Sequence, residues 1–325
     1  VTVALFTLGG TIAMAGAGPG GVVARLTGAE LTAAVPGLAE IPLDVRDVEA
    51  VPSAALTYPK VLELVDAAGA AVAGGVTGVV VTQGTDTLEE TAYLADLVWP
   101  HAAPLVLTGA MRNPTLAGPD GPANLLAAAR VAAAPAARDL GVLVAVNDQI
   151  HAARFVRKTH STSTATFASP DAGPLGHVVE GEVRLLTRPP RHAPLPPVDA
   201  GRLAGTRVAL HTVTLDDDGA LLDALATGLD GLVVAGFGVG HVPPALAPAL
   251  GALADRMPVV LTSRTGAGSV LRHTYGAVGS ETDLLRRGLV WGGLLDPYKA
   301  KVLLRVLLAG GAGRAEVAGA FARHG

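Results

Sequence analysis

The chain has no cysteine among its 325 residues. That absence excludes a disulfide framework, a Cys-ligated zinc site and a thiol nucleophile before any motif is sought. Long apolar runs are missing too. Half of the residues are hydrophobic, but they are scattered Ala and Val, and no run approaches the roughly 20 residues that a membrane span requires. Charge of either sign is sparse: 24 basic against 28 acidic residues leave a formal charge of -4, with no global attraction for phosphate backbones or anionic lipid. No nucleic-acid or membrane partner is therefore expected. There is no G-x-x-x-x-G-K-[ST] and no H-E-x-x-H, and the nine histidines show no ligand spacing, so neither a P-loop nor a metal is expected. Gly16-Ala-Gly-Pro-Gly-Gly21 fits G-x-G-x-x-G only formally, because it contains a proline and opens no convincing helix. No cofactor is expected. The first residues, Val1-Thr-Val-Ala-Leu-Phe-Thr-Leu8, enter a strand-like run without a basic region, and a cytoplasmic location is the expectation.

What is present is a repeating alternation. Runs rich in β-branched residues stand at 1–7, 78–82, 104–108, 141–146, 207–212, 231–235 and 258–262. Most are apolar at consecutive positions, which means both faces of the strand are covered, as in a parallel sheet between helices. Between them, 60–73, 86–98, 123–134 and 244–256 are Ala- and Leu-rich with helical spacing, and Asp86 followed by Glu89 reads as a capping box. The segment 188–198 holds five prolines in eleven residues, an extended connector. The fold expected is α/β, with a larger N-terminal domain (1–187) built on a mostly parallel sheet flanked by helices, a Pro-rich linker (188–200) and a smaller α/β C-terminal domain (201–325).

In open parallel sheets ligands bind beyond the carboxyl ends of the strands. The residues there are Thr7-Leu-Gly-Gly-Thr-Ile-Ala13, Thr82-Gln-Gly-Thr-Asp-Thr87, Thr108-Gly-Ala-Met-Arg112 and Asn147-Asp148. Three of the four set a glycine beside a hydroxyl. Glycine admits close approach of the backbone to a ligand, and threonine offers a nucleophile or donor at short range. Either residue alone is ordinary turn chemistry; their coincidence at several strand ends is not. Lysine is scarce, four residues against 20 arginines, and Lys158 lies in the hydroxyl-rich run Arg157-Lys-Thr-His-Ser-Thr-Ser-Thr-Ala-Thr166. Of the two side chains, lysine is the one whose proton burial can loosen.

Leu8-Gly-Gly-Thr-Ile-Ala13 and Gln83-Gly-Thr-Asp-Thr-Leu-Glu-Glu-Thr-Ala92 resemble the two signature motifs of the bacterial-type L-asparaginase and glutaminase family. The resemblance continues in order through Leu107-Thr-Gly-Ala-Met-Arg112, Asp120-Gly-Pro-Ala-Asn-Leu125, Val146-Asn-Asp-Gln-Ile-His-Ala-Ala-Arg154, Lys158-Thr159, Thr262-Ser-Arg264 and Asp296-Pro-Tyr-Lys-Ala300. It implies an amidohydrolase that needs no cofactor, releases aspartate and ammonia from L-asparagine through a covalent acyl-threonine, and assembles as a homotetramer of intimate dimers. Carried over residue by residue, Thr11 is the nucleophile, and Thr85, Asp86 and Lys158 are the second catalytic cluster. Asp86 also meets the substrate α-ammonium and Ser53 its α-carboxylate. Thr85 and Ala110 complete the substrate-binding set, and Glu281 falls where the family supplies a glutamate from a neighbouring subunit.

A threonine hydroxyl must lose its proton as it attacks, so an acceptor is needed nearby. Lys158 can take that proton through Thr85 if it is neutral for part of the cycle, whereas Asp86 close by favours the charged form; the sequence leaves both open. The chain departs from the family at three places. No tyrosine occurs before Tyr58, although the family carries one in the loop after its first motif; here 15–26 is Gly-rich with Arg25. Gln83 stands where many members have histidine, and Ala54 or Ala55 where many have an amide side chain. These leave a mixed glutaminase-asparaginase, or a catalytically weak amino-acid-binding oligomer, as alternatives.

Overall fold

The computed structural model describes residues 1–15, 23–24, 27–48, 50–220, 222 and 226–325. Within it the chain forms two compact units, Val1–Leu195 and Pro196–Gly325.

The first unit is built on β1 (Val3–Thr7), a short hairpin β2 (Met14–Ala15) and β3 (Val23–Ala24), then β4 (Leu43–Asp47), β5 (Gly78–Thr82), β6 (Leu105–Thr108), β7 (Val142–Val146) and β8 (Gln149–Ala152). A second hairpin, β9 (Arg157–Lys158) with β10 (Phe167–Ala168), precedes β11 (Gly176–Val179) and β12 (Glu182–Leu185). The main sheet has the order β12-β11-β8-β7-β6-β5-β1-β4. From β4 to β7 its neighbours are parallel; β8, β11 and β12 extend it antiparallel. Every residue of β1, β5, β6 and β7 is buried. Val3, Leu5, Val80, Val106 and Leu143 face helix α4 (Gly121–Ala133; α1 is Gly28–Ala33, α2 Tyr58–Ala73 and α3 Leu88–Val98) in one core with its Leu125, Ala128 and Val131. The alternate residues point to the opposite face. Helices α2 and α3, which pack on each other and on these strands, cover that side.

The second unit holds β13 (Val208–Thr212), β14 (Gly231–Gly236), β15 (Val259–Ser263) and β16 (Val290–Trp291), all parallel and adjacent in that order. Its core joins Val234, Leu261 and Leu232 to Leu250, Leu253 and Leu284 from helices Ala247–Arg256 and Glu281–Arg286. The architecture is thus the α/β arrangement expected, with a larger, mostly parallel first sheet and a smaller second one.

Two local expectations are corrected. Helix α3 starts at Leu88 with Thr87 as its N-cap and no side-chain capping bond, so Asp86 and Glu89 form no capping box. Both carboxylates are engaged elsewhere: Asp86 with Ser53 and Lys158, Glu89 as acceptor for the Lys158 backbone N–H at 3.0 Å. Edge strand β4 is absent from the sequence expectation because Asp44, Arg46 and Asp47 interrupt its apolar run; as an edge it is only half-buried. The Pro-rich stretch, meanwhile, is tied to the first unit as far as Leu195. Arg188 donates to the carbonyls of Ala136 and Arg138, Arg191 to those of Trp99 and His101, and Leu195 N–H to Leu97.

Asp96 lies beneath that strap and accepts from Val142 N–H at 2.9 Å. Enclosure by protein raises its carboxyl from 3.8 to about 6, against the opposing pull of the Val142 bond and of Arg191 and Arg154. A carboxyl raised in the folded state keeps its proton where the unfolded chain has lost it, so its ionisation lowers stability as pH climbs from about 4 to about 6. The cost is on the order of 1 to 3 kcal/mol and is complete above that window. Asp96→Asn should flatten the pH dependence of the melting temperature between pH 4 and 6.5; an unchanged slope would place that dependence on other groups.

Candidate active site

The site begins where the central strands end. Leu8 N–H extends the ladder past β1 by donating to Thr82 O at 3.0 Å, and Gln83 N–H does the same past β5 toward Thr108 O at 3.0 Å. Beyond these bonds the chains turn, and they turn in contact. Gly10 has φ +90°, and a Cβ there would lie 2.3 Å from the Gly84 nitrogen. A side chain at Gly84 would come within 2.6 Å of Ser53 Oγ, and one at Gly109 within 2.6 Å of the Gln83 carbonyl. No β-carbon tolerates such distances, so three glycines draw the ends of β1, β5 and β6 together. Thr11 and Thr85 are the residues that follow two touching glycines.

Each candidate side chain has an identifiable holder. Ser53 opens the 3-10 turn Ser53–Ala55 after β4; it is buried, its Oγ accepts from Asp86 N–H at 3.3 Å and donates to Asp86 Oδ2 at 3.4 Å, and its carbonyl accepts from Thr87 Oγ1 at 2.9 Å. Lys158 comes from the β9–β10 hairpin, 73 residues from Thr85 in sequence. Its Nζ donates to Thr85 Oγ1 at 3.0 Å and to Asp86 Oδ1 at 3.2 Å. The lysine side chain is 17% exposed and the aspartate 67%, so a largely enclosed amino group faces a hydroxyl on one side and an open carboxyl group on the other. Thr85 is buried; Thr11, in a 3-10 turn, is half-buried.

Ala110 is buried beside Ile12: an added Cβ on Gly121 would lie 2.7 Å from Ile12 Cγ1 and 3.4 Å from Ala110 Cβ. The Ala110–Arg112 turn is pinned by Asp120, which accepts from Met111 N–H and Arg112 N–H, and Asn124 donates to Gly109 O at 2.9 Å. Glu89, Asp120 and Asn124 are scaffold residues that lie inside the signature segments but to which the motif reading gave no role in the site. Their signal was present but ambiguous, since Glu89 satisfied a helix-capping pattern equally well. Gln83 is buried and donates to Thr87 and Thr91. It is therefore turned into α3, a structural post rather than an exposed specificity group.

Glu281 belongs to the second unit. Its side chain is fully buried. Oε1 accepts from Thr274 N–H at 2.9 Å and Tyr275 N–H at 2.7 Å, and Oε2 meets His241 Nε2 at 3.2 Å. Burial acts to raise its carboxyl, but the backbone N–H groups of Tyr275, Thr274 and Glu281 itself, with His241, outweigh that and hold it below its ordinary value.

Comparison with known proteins agrees with the order of these parts. The description "Asparaginase, N-terminal" matches residues 2–191 and "Glutaminase/Asparaginase C-terminal domain" residues 207–321. The chain belongs to the bacterial-type asparaginase family. Membership makes it an amidohydrolase of the asparaginase class. An "L-asparaginase" of Bacillus licheniformis is 35% identical over 317 residues, 94% of this chain and 95% of that protein. A "Glutaminase-asparaginase" of Pseudomonas aeruginosa is 35% identical over 320 residues, 94% of this chain and 86% of that one. Among solved structures, a "Probable Cytoplasmic L-asparaginase" of Campylobacter jejuni matches with a TM-score of 0.86 at 31% identity, covering 99% of each chain.

Within this family framework the departures have different fates. The stretch of 15–26 from which the family's loop tyrosine is missing lies, but for residues 15 and 23–24, outside the described residues, as do Gly16-Ala-Gly-Pro-Gly-Gly21 and Arg25. Ala54 and Ala55 are exposed beside Ser53. No group of three or more His, Asp or Glu among the described residues could hold a metal ion, and no described helix is long and apolar enough to cross a membrane.

Proposed function

We propose that this chain hydrolyses the side-chain amide of L-asparagine to L-aspartate and ammonia, with Thr11 as nucleophile. The observation that carries the reading is Lys158 Nζ within hydrogen-bond distance of both Thr85 Oγ1 (3.0 Å) and Asp86 Oδ1 (3.2 Å), at the turn whose Gly84 touches Gly10 beside Thr11. Thr11 Oγ attacks the amide carbon, and its proton passes by way of Thr85 Oγ1 to Lys158 Nζ, which takes it in its neutral form. Collapse of the tetrahedral intermediate, with that proton handed on to the amide nitrogen, expels ammonia and leaves an ester on Thr11. Water then adds to the ester, releases aspartate and returns the hydroxyl proton. In this reading backbone N–H groups of the Gly-rich turns stabilise the oxyanion, a contribution of roughly 3 to 4 kcal/mol per donor where it has been isolated. The exposed Asp86 carboxylate suits the α-ammonium, and Ser53 Oγ suits the α-carboxylate.

The reading includes assembly into a homotetramer and a cytoplasmic location. A neighbouring copy's second unit would complete the ammonium site; by the resemblance its residue there is Glu281. Glutamine is the second substrate to consider, because the P. aeruginosa relative bears both activities in its name and one methylene in a pocket is worth only about 1 to 3 kcal/mol. Ammonia release by the purified protein from L-asparagine, L-glutamine and D-asparagine tests the reading. L-Asparagine should give the highest kcat/KM, and no release from L-asparagine or L-glutamine would overturn it.

A further inference from the structure

Thr87 stands at the N-cap of α3, where a threonine hydroxyl ordinarily accepts from the backbone N–H groups of the first turn. Here it makes no such bond. Its Oγ1 instead donates to the Ser53 carbonyl at 2.9 Å, across 34 residues of sequence. That carbonyl also closes the 3-10 turn by accepting from Leu56 N–H at 3.2 Å, so both of its lone pairs are used and the peptide plane after Ser53 is fixed. The side chain of Ser53 is set by the neighbouring strand end. Its Oγ accepts from Asp86 N–H at 3.3 Å, and it lies so near Gly84 that a Cβ there would come within 2.6 Å.

Gln83 stands behind this contact. It is fully enclosed, and its Nε2 donates to Thr87 Oγ1 at 3.3 Å and to Thr91 Oγ1 at 3.0 Å. The orientation of the amide follows from counting hydrogens. Thr87 has one hydroxyl hydrogen and gives it to Ser53, so toward Gln83 it can only accept, and the amide must present its NH2. The NH2 is the part of the amide that is used; Oε1 has no protein partner among the described residues. A helix cap is thus forgone, at a cost to stability, and the hydroxyl that would have made it closes a directed chain from Gln83 to Thr87 to Ser53. We propose that Thr87, oriented by Gln83, is a positioning residue for Ser53 and thereby sets how firmly the site holds the α-carboxylate of its substrate. The proposal rests on the reading of Ser53 as the α-carboxylate anchor and adds the residues through which that anchor is held.

The test compares Thr87→Val, which removes the hydroxyl at nearly constant shape, with Thr87→Ser, which keeps it. Gln83→Met, Ser53→Ala and Thr87→Val combined with Ser53→Ala complete the set, all in the full-length protein. Kinetic constants are measured on L-asparagine, and affinities by calorimetry for L-aspartate and for β-alanine, which is aspartate without its α-carboxylate. Thr87→Val should raise KM and the L-aspartate Kd about three- to tenfold, the loss that goes with one neutral hydrogen bond, while kcat changes less than about twofold. Thr87→Ser should stay within about twofold of wild type, and Gln83→Met should shift the same constants in the same direction by a smaller factor. β-Alanine affinity should hold within about twofold in every variant, whereas a general loosening of the fold would weaken both ligands together. On L-aspartate the double variant should be no worse than Ser53→Ala alone, because Thr87 acts through Ser53. Unchanged L-aspartate affinity in Thr87→Val, an equal loss for β-alanine, no recovery in Thr87→Ser, or losses that multiply with Ser53→Ala would each overturn the proposal; an unshifted Gln83→Met would remove Gln83 from the chain. Should Thr87→Val fail to fold, Gln83→Met decides with the same two ligands. Because the affinities need no turnover, a wild-type protein that binds L-aspartate but releases no ammonia would overturn the hydrolytic reading and leave this result standing; one that binds β-alanine as tightly as L-aspartate would overturn the anchor and the proposal with it.

Discussion

Thr11→Ala is expected to lower kcat on L-asparagine by about 10⁴-fold or more while L-aspartate still binds with near wild-type affinity. The separation follows from where the groups sit. Ser53 and Asp86, the proposed anchors of the α-carboxylate and α-ammonium, bond to each other, and Asp86 bonds to Lys158 of the β9–β10 hairpin, by hydrogen bonds that do not run through Thr11. Deleting one half-exposed hydroxyl removes the attacking oxygen and leaves that frame intact. Stability should change by less than about 1 kcal/mol, as for substitutions that neither open a core cavity nor orphan a buried group. Steady-state kinetics with aspartate calorimetry checks both halves. Turnover within tenfold of wild type would remove Thr11 from the reaction.

Lys158→Met should be the second most damaging change, lowering kcat by about 10² to 10⁴, the usual range for a positioned proton-transfer group. Methionine keeps the length of the stem within the hairpin and removes the donor to Thr85 Oγ1. The aspartate it abandons is 67% exposed and is solvated by water, so the fold should lose little. Lys158→Arg should not rescue activity, because a guanidinium is planar, larger and cannot give up its proton. Thr85→Ala combined with Lys158→Met should be little worse than either alone, as for residues that act as one unit. A double variant whose losses multiply would mean that Thr85 and Lys158 serve separate steps.

The central strands were legible because burial on both faces leaves a continuous apolar run. β5 spans Gly78–Thr82 as the sequence implies, and β6, β7, β13, β14 and β15 begin or end within a residue of their expected limits. β4 was illegible for the converse reason: an edge strand carries Asp44, Arg46 and Asp47 where a central one would carry valine. Residue types at the strand ends pointed to the site, but the geometry that makes it one lies in pairings no local pattern contains. The Gly10–Gly84 contact joins residues 74 apart, and Lys158 reaches Thr85 because Glu89 holds its backbone. The same Asp86 and Glu89 spacing reads locally as a helix cap, and tertiary bonds overrode it. Glu281 shows the same limit. Nothing local in its sequence marks it as buried, whereas here it is enclosed by Thr274, Tyr275 and His241.

The account turns on which threonine carries the acyl group, and trypsin separates the two. Thr11 falls in the peptide 1–25 and Thr85 in the peptide 61–112. The measurement is rapid acid quench of enzyme turning over L-asparagine, followed by digestion and mass spectrometry. The mass of one aspartyl group should be added to peptide 1–25 and located at Thr11. The same mass on peptide 61–112, located at Thr85, would contradict the account and exchange the roles of the two threonines.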